Sequence, residues 1–325
     1  MAEYEYLILQ LASFVVPGTI LVVLSLGLNL QFGRTGLFNA GVAAFVGVGA
    51  YMFGMLTTGN VAPDQTYPGH WGPSQPMDLI LAALIAMVFS GLLGLLIAIP
   101  TIRLRADYLA IVTLALAEIV RLILKNERRL TGGDQNLSLI PRPFAGIVSQ
   151  DVGWASDGVF LLVAGAIMLL VLLALELLSR LPWGRALKAI REDEEAAMAL
   201  GKNTFSLKLQ AFAIGCAVMG LAGALLASFN RVILPDQFAP FATFNAYVVV
   251  ILGGRGNNRG VVLGGYLFWL FTWGTLQVKT YLPDVLALRI DFVNQIAIGV
   301  LLVLFILFRP EGIVPEVRYV PKRNA

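Results

Sequence analysis

The sequence predicts an all-α polytopic membrane protein, and three observations carry that expectation. Of the 325 residues, 58% are hydrophobic and only 13% are charged, against roughly 45–50% apolar and about 25% charged in a soluble domain. The mean hydropathy is +0.80. The apolar residues also gather into nine runs, near residues 6–30, 37–56, 79–100, 108–124, 159–178, 207–229, 241–252, 261–276 and 292–308. A bilayer core of about 30 Å takes an apolar helix of about 20 residues. The reading is about nine transmembrane or half-membrane helices with one short cytoplasmic helix, in a single domain over residues 1–325. The same composition excludes a disordered chain, a nucleic-acid-binding domain and an ordinary soluble enzyme.

The first run follows Met1-Ala2-Glu3-Tyr4-Glu5, which has two acids and no basic residue. No small-x-small cleavage pattern follows it, so it is expected to be retained as a span. The run at 241–252 is short for a crossing and follows Pro235 and Pro240. It reads as a half-helix or re-entrant piece, whose exposed N–H groups attract a carboxylate. Gly215, Gly220 and Gly223 allow close helix packing within the run at 207–229. A faint internal echo links Gly33-Arg34-Thr35-Gly36 to Gly254-Arg255-Gly256, each ahead of a Gly-rich apolar stretch.

With 23 Lys and Arg against 20 Asp and Glu, the net charge is only +3, so placement matters more than the sum. Basic residues concentrate at Arg180, Arg185, Lys188, Arg191, Lys202 and Lys208, in the tail at Arg309, Arg318, Lys322 and Arg323, and in the turns holding Arg103, Arg105, Arg255 and Arg259. Putting these regions inside gives an external N-terminus and a cytoplasmic C-terminus. Lys125, Arg128 and Arg129 then fall in an external loop, where the charge rule acts weakly. Cys216 is the lone cysteine and His70 the lone histidine. No disulfide, metal site or Ser-His-Asp triad is expected, and no catalytic residue is assigned.

The stretch at 181–206 is the most informative. Asp193 suits an N-cap, and Glu194 and Glu195 place negative charge in the first turn. Ala196, Ala197, Met198, Ala199 and Leu200 are helix formers, Gly201 can take the left-handed conformation that ends a helix, and Lys202 follows with matching charge. A two-turn helix of about 10 Å results. The chain has no G-x-x-x-x-G-K-[ST] phosphate loop, so active transport would draw on an ion gradient or another subunit.

Glu195-Ala196-Ala197, three residues, then Gly201 resembles the EAA-xxx-G loop of ABC importer permeases. Gly36-Leu37-Phe38-Asn39-Ala40-Gly41, the stretch from Arg105 to Leu114 with Glu118-Ile119-Val120-Arg121, Thr131-Gly132-Gly133, Leu252-Gly253-Gly254-Arg255-Gly256 and Arg309-Pro310-Glu311-Gly312 are similar to stretches of the branched-chain amino-acid permeases, in the LivM-like branch. The resemblance implies a cytoplasmic loop at 181–206 that docks on ATPase subunits through Arg191, Asp193, Glu194, Glu195, Ala196, Ala197, Leu200, Gly201 and Lys202. It also implies a bacterial inner-membrane location, a second homologous permease, two cytoplasmic ABC ATPases holding ATP-Mg, and a periplasmic solute-binding protein. No cofactor is expected on this chain. The sequence departs from the family pattern around Phe38-Asn39-Ala40 and Asp134-Gln135-Asn136, which leaves the solute open between branched-chain or other neutral amino acids and urea or amides.

Thr35, Asn39, Gly41, Thr113, Glu118 and Asn245 are the candidates for a polar solute path. Glu118 and Arg121, three apart on one helix, can pair, as can Glu176 and Arg180. No span carries an unpaired central acid of the kind an ion relay needs. An ion-coupled transporter working alone therefore stays the second reading.

Overall fold

The computed structural model describes residues 2–58, 78–127, 131–133, 136–141, 153–279 and 290–316. His70, Asp134 and the basic residues Arg128, Arg129, Arg318, Lys322 and Arg323 lie outside the described residues. Among those described, eleven α-helices and no β-strand make up the fold: α1 (Ala2–Leu28), α2 (Val42–Thr57), α3 (Leu79–Thr101), α4 (Ala106–Asn126), α5 (Gly153–Arg180), α6 (Pro182–Glu192), α7 (Glu194–Ala199), α8 (Thr204–Asn230), α9 (Pro240–Gly253), α10 (Asn258–Lys279) and α11 (Ile290–Phe308). Each of the nine apolar runs overlaps one of these helices.

Among the described residues, four stretches are long and apolar enough to cross a membrane: Gln10–Arg34, Leu79–Thr101, Ser156–Arg180 and Thr204–Asn230. Val42–Thr57, Pro240–Gly253 and Phe292–Phe308 are shorter apolar helices. The 14 residues of α9 reach only about 21 Å, as the short run suggested. Exposed positions on the outer helices are apolar, among them Leu96, Leu162 and Leu307. That is the surface of a protein whose solvent is lipid.

Helix α8 runs through the middle, packed on α1, α2 and α3, and α1 also contacts α5 and α10. Close approach comes from missing side chains. A Cβ at Gly223 would lie 2.0 Å from the Val46 carbonyl oxygen, and one at Gly49 would lie 2.2 Å from that of Gly220. Helices α2 and α8 therefore meet backbone to backbone.

Two local readings need correction. The run at 37–56 is not helical from its start: α2 begins at Val42. Helix α1 instead passes into a π-helical turn, Asn29–Arg34, followed by an irregular stretch at 36–41. The loop at 181–206 holds two helices, not one. Pro182 sits at the first position of α6, where its fixed φ and missing N–H cost nothing. Leu187 and Ile190 with Gly184 form the buried stripe of α6.

Gly223→Ala is expected to destabilise the fold by about 1–3 kcal/mol through overpacking. At Gly165 an added carbon meets nothing within 4 Å, so Gly165→Ala should be neutral or gain up to about 1 kcal/mol of helix propensity. Thermal unfolding in detergent compares the two, and equal losses would contradict the packing described.

Candidate functional site

The short helix α7 is capped as its sequence dictates. Asp193 accepts from the Ala196 N–H at 3.0 Å. At the other end the Gly201 N–H donates to Met198 O at 2.9 Å and the Lys202 N–H to Ala197 O at 3.1 Å, the paired bonds of a Schellman stop. Gly201 has φ +75°, with nothing within 4 Å of an added Cβ. Glycine is required there by backbone conformation, not by crowding. Ala197 turns inward, while Met198 and Leu200 are 50% and 80% exposed. Glu195, Ala196 and Lys202 are exposed beside them. An apolar, small-residue face with an acidic N-terminal edge thus stands open.

Three side chains tie this segment to the core. Lys208 of α8 pairs with Glu194 at 2.5 Å. Trp183 Nε1 donates to Gln210 Oε1 at 2.9 Å. Arg191 donates to the Gly33 carbonyl and to Glu316 at 2.6 Å. A cavity of about 210 Å³ lies behind, lined by Thr35, Leu37 and Leu109 together with Arg191, Glu194 and Lys208. It separates the capped helix from the broken stretch that follows α1.

The break is closed by side chains. Gln31 donates to Phe212 O at 2.8 Å and accepts from Asn39 Nδ2 at 2.8 Å. Asn39 Oδ1 accepts from the Gly41 N–H at 2.9 Å, while the Tyr247 hydroxyl donates to Asn39 O at 3.0 Å. Thr113 takes the Ala40 N–H at 3.0 Å, and Thr243 takes the Ala43 N–H at 3.0 Å. Thr35 donates to Leu30 O at 2.9 Å. Four pathway candidates, Thr35, Asn39, Gly41 and Thr113, are therefore brought together, each with its polar groups turned to the chain itself and buried.

The other two candidates stand apart. Glu118 pairs with Arg121 at 2.5 Å, and Arg121 reaches on to Asp236 at 2.5 Å. Lys125 joins Asp236 at 3.3 Å, so the pair is part of a four-residue cluster on α4 and the turn before α9. Asn245 is half-buried on α9, and its Oδ1 is buried without a hydrogen-bond partner. The same helix supplies Thr243 and Tyr247 to the break.

The two Gly-Arg motifs meet in space. Asn29 Oδ1 accepts from the Gly256 N–H at 2.9 Å, and Asn29 Nδ2 donates to Asn258 at 2.9 Å. A Cβ at Gly33 would lie 2.6 Å from the Gly256 nitrogen. Arg255 stacks over the Phe32 ring at 5.2 Å. Sequence reasoning passed over Asn29, Gln31, Thr243, Tyr247, Asn258 and Glu316. Asn29 and Gln31 carried a usable signal, since amides at the end of an apolar run need partners.

A family model for the branched-chain amino acid transport system permease component matches residues 10–308. Over 318 residues the chain is 33% identical to the high-affinity branched-chain amino acid transport system permease protein LivM of Salmonella typhimurium, covering 92% of this chain and 68% of that protein. The probable LivM of Methanocaldococcus jannaschii is 32% identical, with 90% of each chain covered. The LivH permease of Escherichia coli is 26% identical over 98% of this chain and 99% of its own. No solved structure matches.

Asn39→Leu leaves the Gly41 N–H and the Gln31 side-chain oxygen without this partner, at about 1–3 kcal/mol for each. A fall in thermal midpoint larger than that of Thr35→Val, which frees only one carbonyl, is the expected outcome. Gly201→Ala should cost about 1–2 kcal/mol of local stability from its left-handed backbone. Faster amide exchange at position 201 and at Lys202, with the thermal midpoint unchanged, would show it.

Proposed function

The chain belongs to the branched-chain amino acid transport system permease family, and on that footing we propose that it is one permease of an ATP-driven importer for branched-chain or other neutral amino acids. It pairs with a second homologous permease; both LivM and LivH proteins are similar to it along most of its length. Two cytoplasmic ATPases carrying ATP-Mg dock on the coupling helices of the two permeases, here the 181–206 segment, and an external binding protein delivers the solute. The N-terminus faces outward and the C-terminus the cytoplasm, in line with the Lys and Arg distribution.

The observation that carries the energy-coupling role is α7. A helix of six residues has too few internal hydrogen bonds to persist alone. Here both ends are capped, its base is pinned by Lys208 and Arg191, and its apolar residues Met198 and Leu200 are left open. That combination fits a rigid knob for a partner's groove. Alternating access follows if closure of the ATPases displaces this knob and the inner ends of the helices it is tied to.

The carboxylates Glu118 and Glu176 are each held by arginines, Glu118 by Arg121 and Glu176 by Arg180 and Arg259. Paired in this way they make poor ion relays, which favours the ATP-driven reading over a carrier working alone. Deleting residues 195–201 is expected to abolish uptake of labelled leucine while membrane insertion, read by fractionation, is retained. Uptake that survives the deletion, or solute flux by this chain reconstituted without ATPases, would contradict the proposal.

A further inference from the structure

The tail beyond α11 is fastened to the α9–α10 turn. The Ile313 N–H donates to Leu252 O at 2.9 Å and the Val314 N–H to Gly253 O at 3.1 Å. Asn257 Nδ2 adds bonds to the carbonyls of Val314 and Pro315, both at 3.3 Å. The approach needs glycine on both sides. A Cβ at Gly254 would lie 2.2 Å from Val314 O, and one at Gly312 would lie 2.4 Å from the Gly254 Cα. The tail therefore has a fixed position relative to α9, the helix that also supplies Thr243 and Tyr247 to the break.

The last described residue of this tail is Glu316, whose carboxylate spans the next junction. Its Oε1 pairs with Lys188 at 3.3 Å and its Oε2 with Arg191 at 2.6 Å. Lys188 and Arg191 are three apart on α6 and so project from one face. All three side chains are mostly buried, Glu316 at 19% exposure and Arg191 at 18%. Arg191 uses its other nitrogen on the Gly33 carbonyl inside the π-helical turn. One guanidinium thus joins the ATPase-docking segment, the break after α1 and the tail. Its planar fork suits two fixed acceptors in a way a lysine would not match.

We propose that Glu316 is a positioning residue for coupling: through Arg191 and Lys188 it makes α6 and α7 move together with the π-helical turn and the α9–α10 turn. The inference rests on the reading of this chain as an ABC importer permease. Without Glu316, Arg191 keeps its Gly33 hydrogen bond but loses its ion pair to the tail, and displacement of α7 reaches α9 with less fidelity. The role is one of transmission, and it touches neither solute nor nucleotide.

The test uses the assembled transporter, with both permeases, both ATPases and the binding protein, in proteoliposomes. The quantity measured is labelled leucine imported per ATP hydrolysed. Glu316→Gln and Glu316→Ala are expected to lower this ratio by roughly three- to thirtyfold, while ATP hydrolysis continues and the subunits still co-purify. Glu316→Asp, which keeps the charge, should recover most of the ratio. An unchanged ratio in both Glu316→Gln and Glu316→Ala would overturn the proposal. So would import and hydrolysis falling in proportion, or loss of assembly in all three variants, which marks a structural staple. A wild-type assembly that imports leucine without ATP would defeat the transporter reading itself and is distinguishable from all of these.

Discussion

A helix interrupted in a membrane must find hydrogen-bond partners for the backbone groups it frees, because lipid offers none. This chain meets that constraint between residues 29 and 41. The π-helical turn and the irregular stretch after it survive because Asn39, Thr113, Thr243 and Tyr247 supply partners to the backbone there, while Gln31 braces Asn39 and ties it to the Phe212 carbonyl. The rest of the inner architecture is arranged around that need. Helix α8 presents the Phe212 carbonyl, α4 presents Thr113, and α9 presents Thr243 and Tyr247.

Because these partners come from separate helices, the break is also where the helices communicate. Gly33 and Gly256 bring two turns into backbone contact, and Asn29 bonds across them. Gly254 and Gly312 add the tail to the same place. Arg191 then attaches the α6–α7 helix pair. A force applied at α7 has a short, polar and well-packed route to the break. Discrete hydrogen bonds of this kind rearrange between states and do not stretch gradually, which suits a gate with two positions.

The sequence displayed part of this. Apolar runs located the helices because burial in lipid demands long uninterrupted hydrophobicity. The α7 caps were legible because Asp193, the alanines and Gly201 act within their own turn. The break was not legible. Residues 37–41 continue the apolar run except at Asn39, and the distant partners Thr113, Thr243 and Tyr247 help hold the backbone out of the helix there. Helix α6 is hard to see within the 181–206 loop because its buried stripe, Gly184, Leu187 and Ile190, is thin and several of its outer residues are basic. The likeness of Gly33-Arg34 to Gly254-Arg255 was visible as an echo, but its meaning as a contact needed the fold. Glu316 could not be singled out at all, since its partners lie 125 and more residues away.

The polar-clamped break and the α6–α7 helix pair should act as one mechanical unit. Amide hydrogen exchange in the assembled transporter, without and with a non-hydrolysable ATP analogue, tests it most directly. The account requires peptides covering residues 29–41 and residues 182–202 to change protection together when nucleotide binds. A change confined to 182–202, with the break as protected as before, would contradict it.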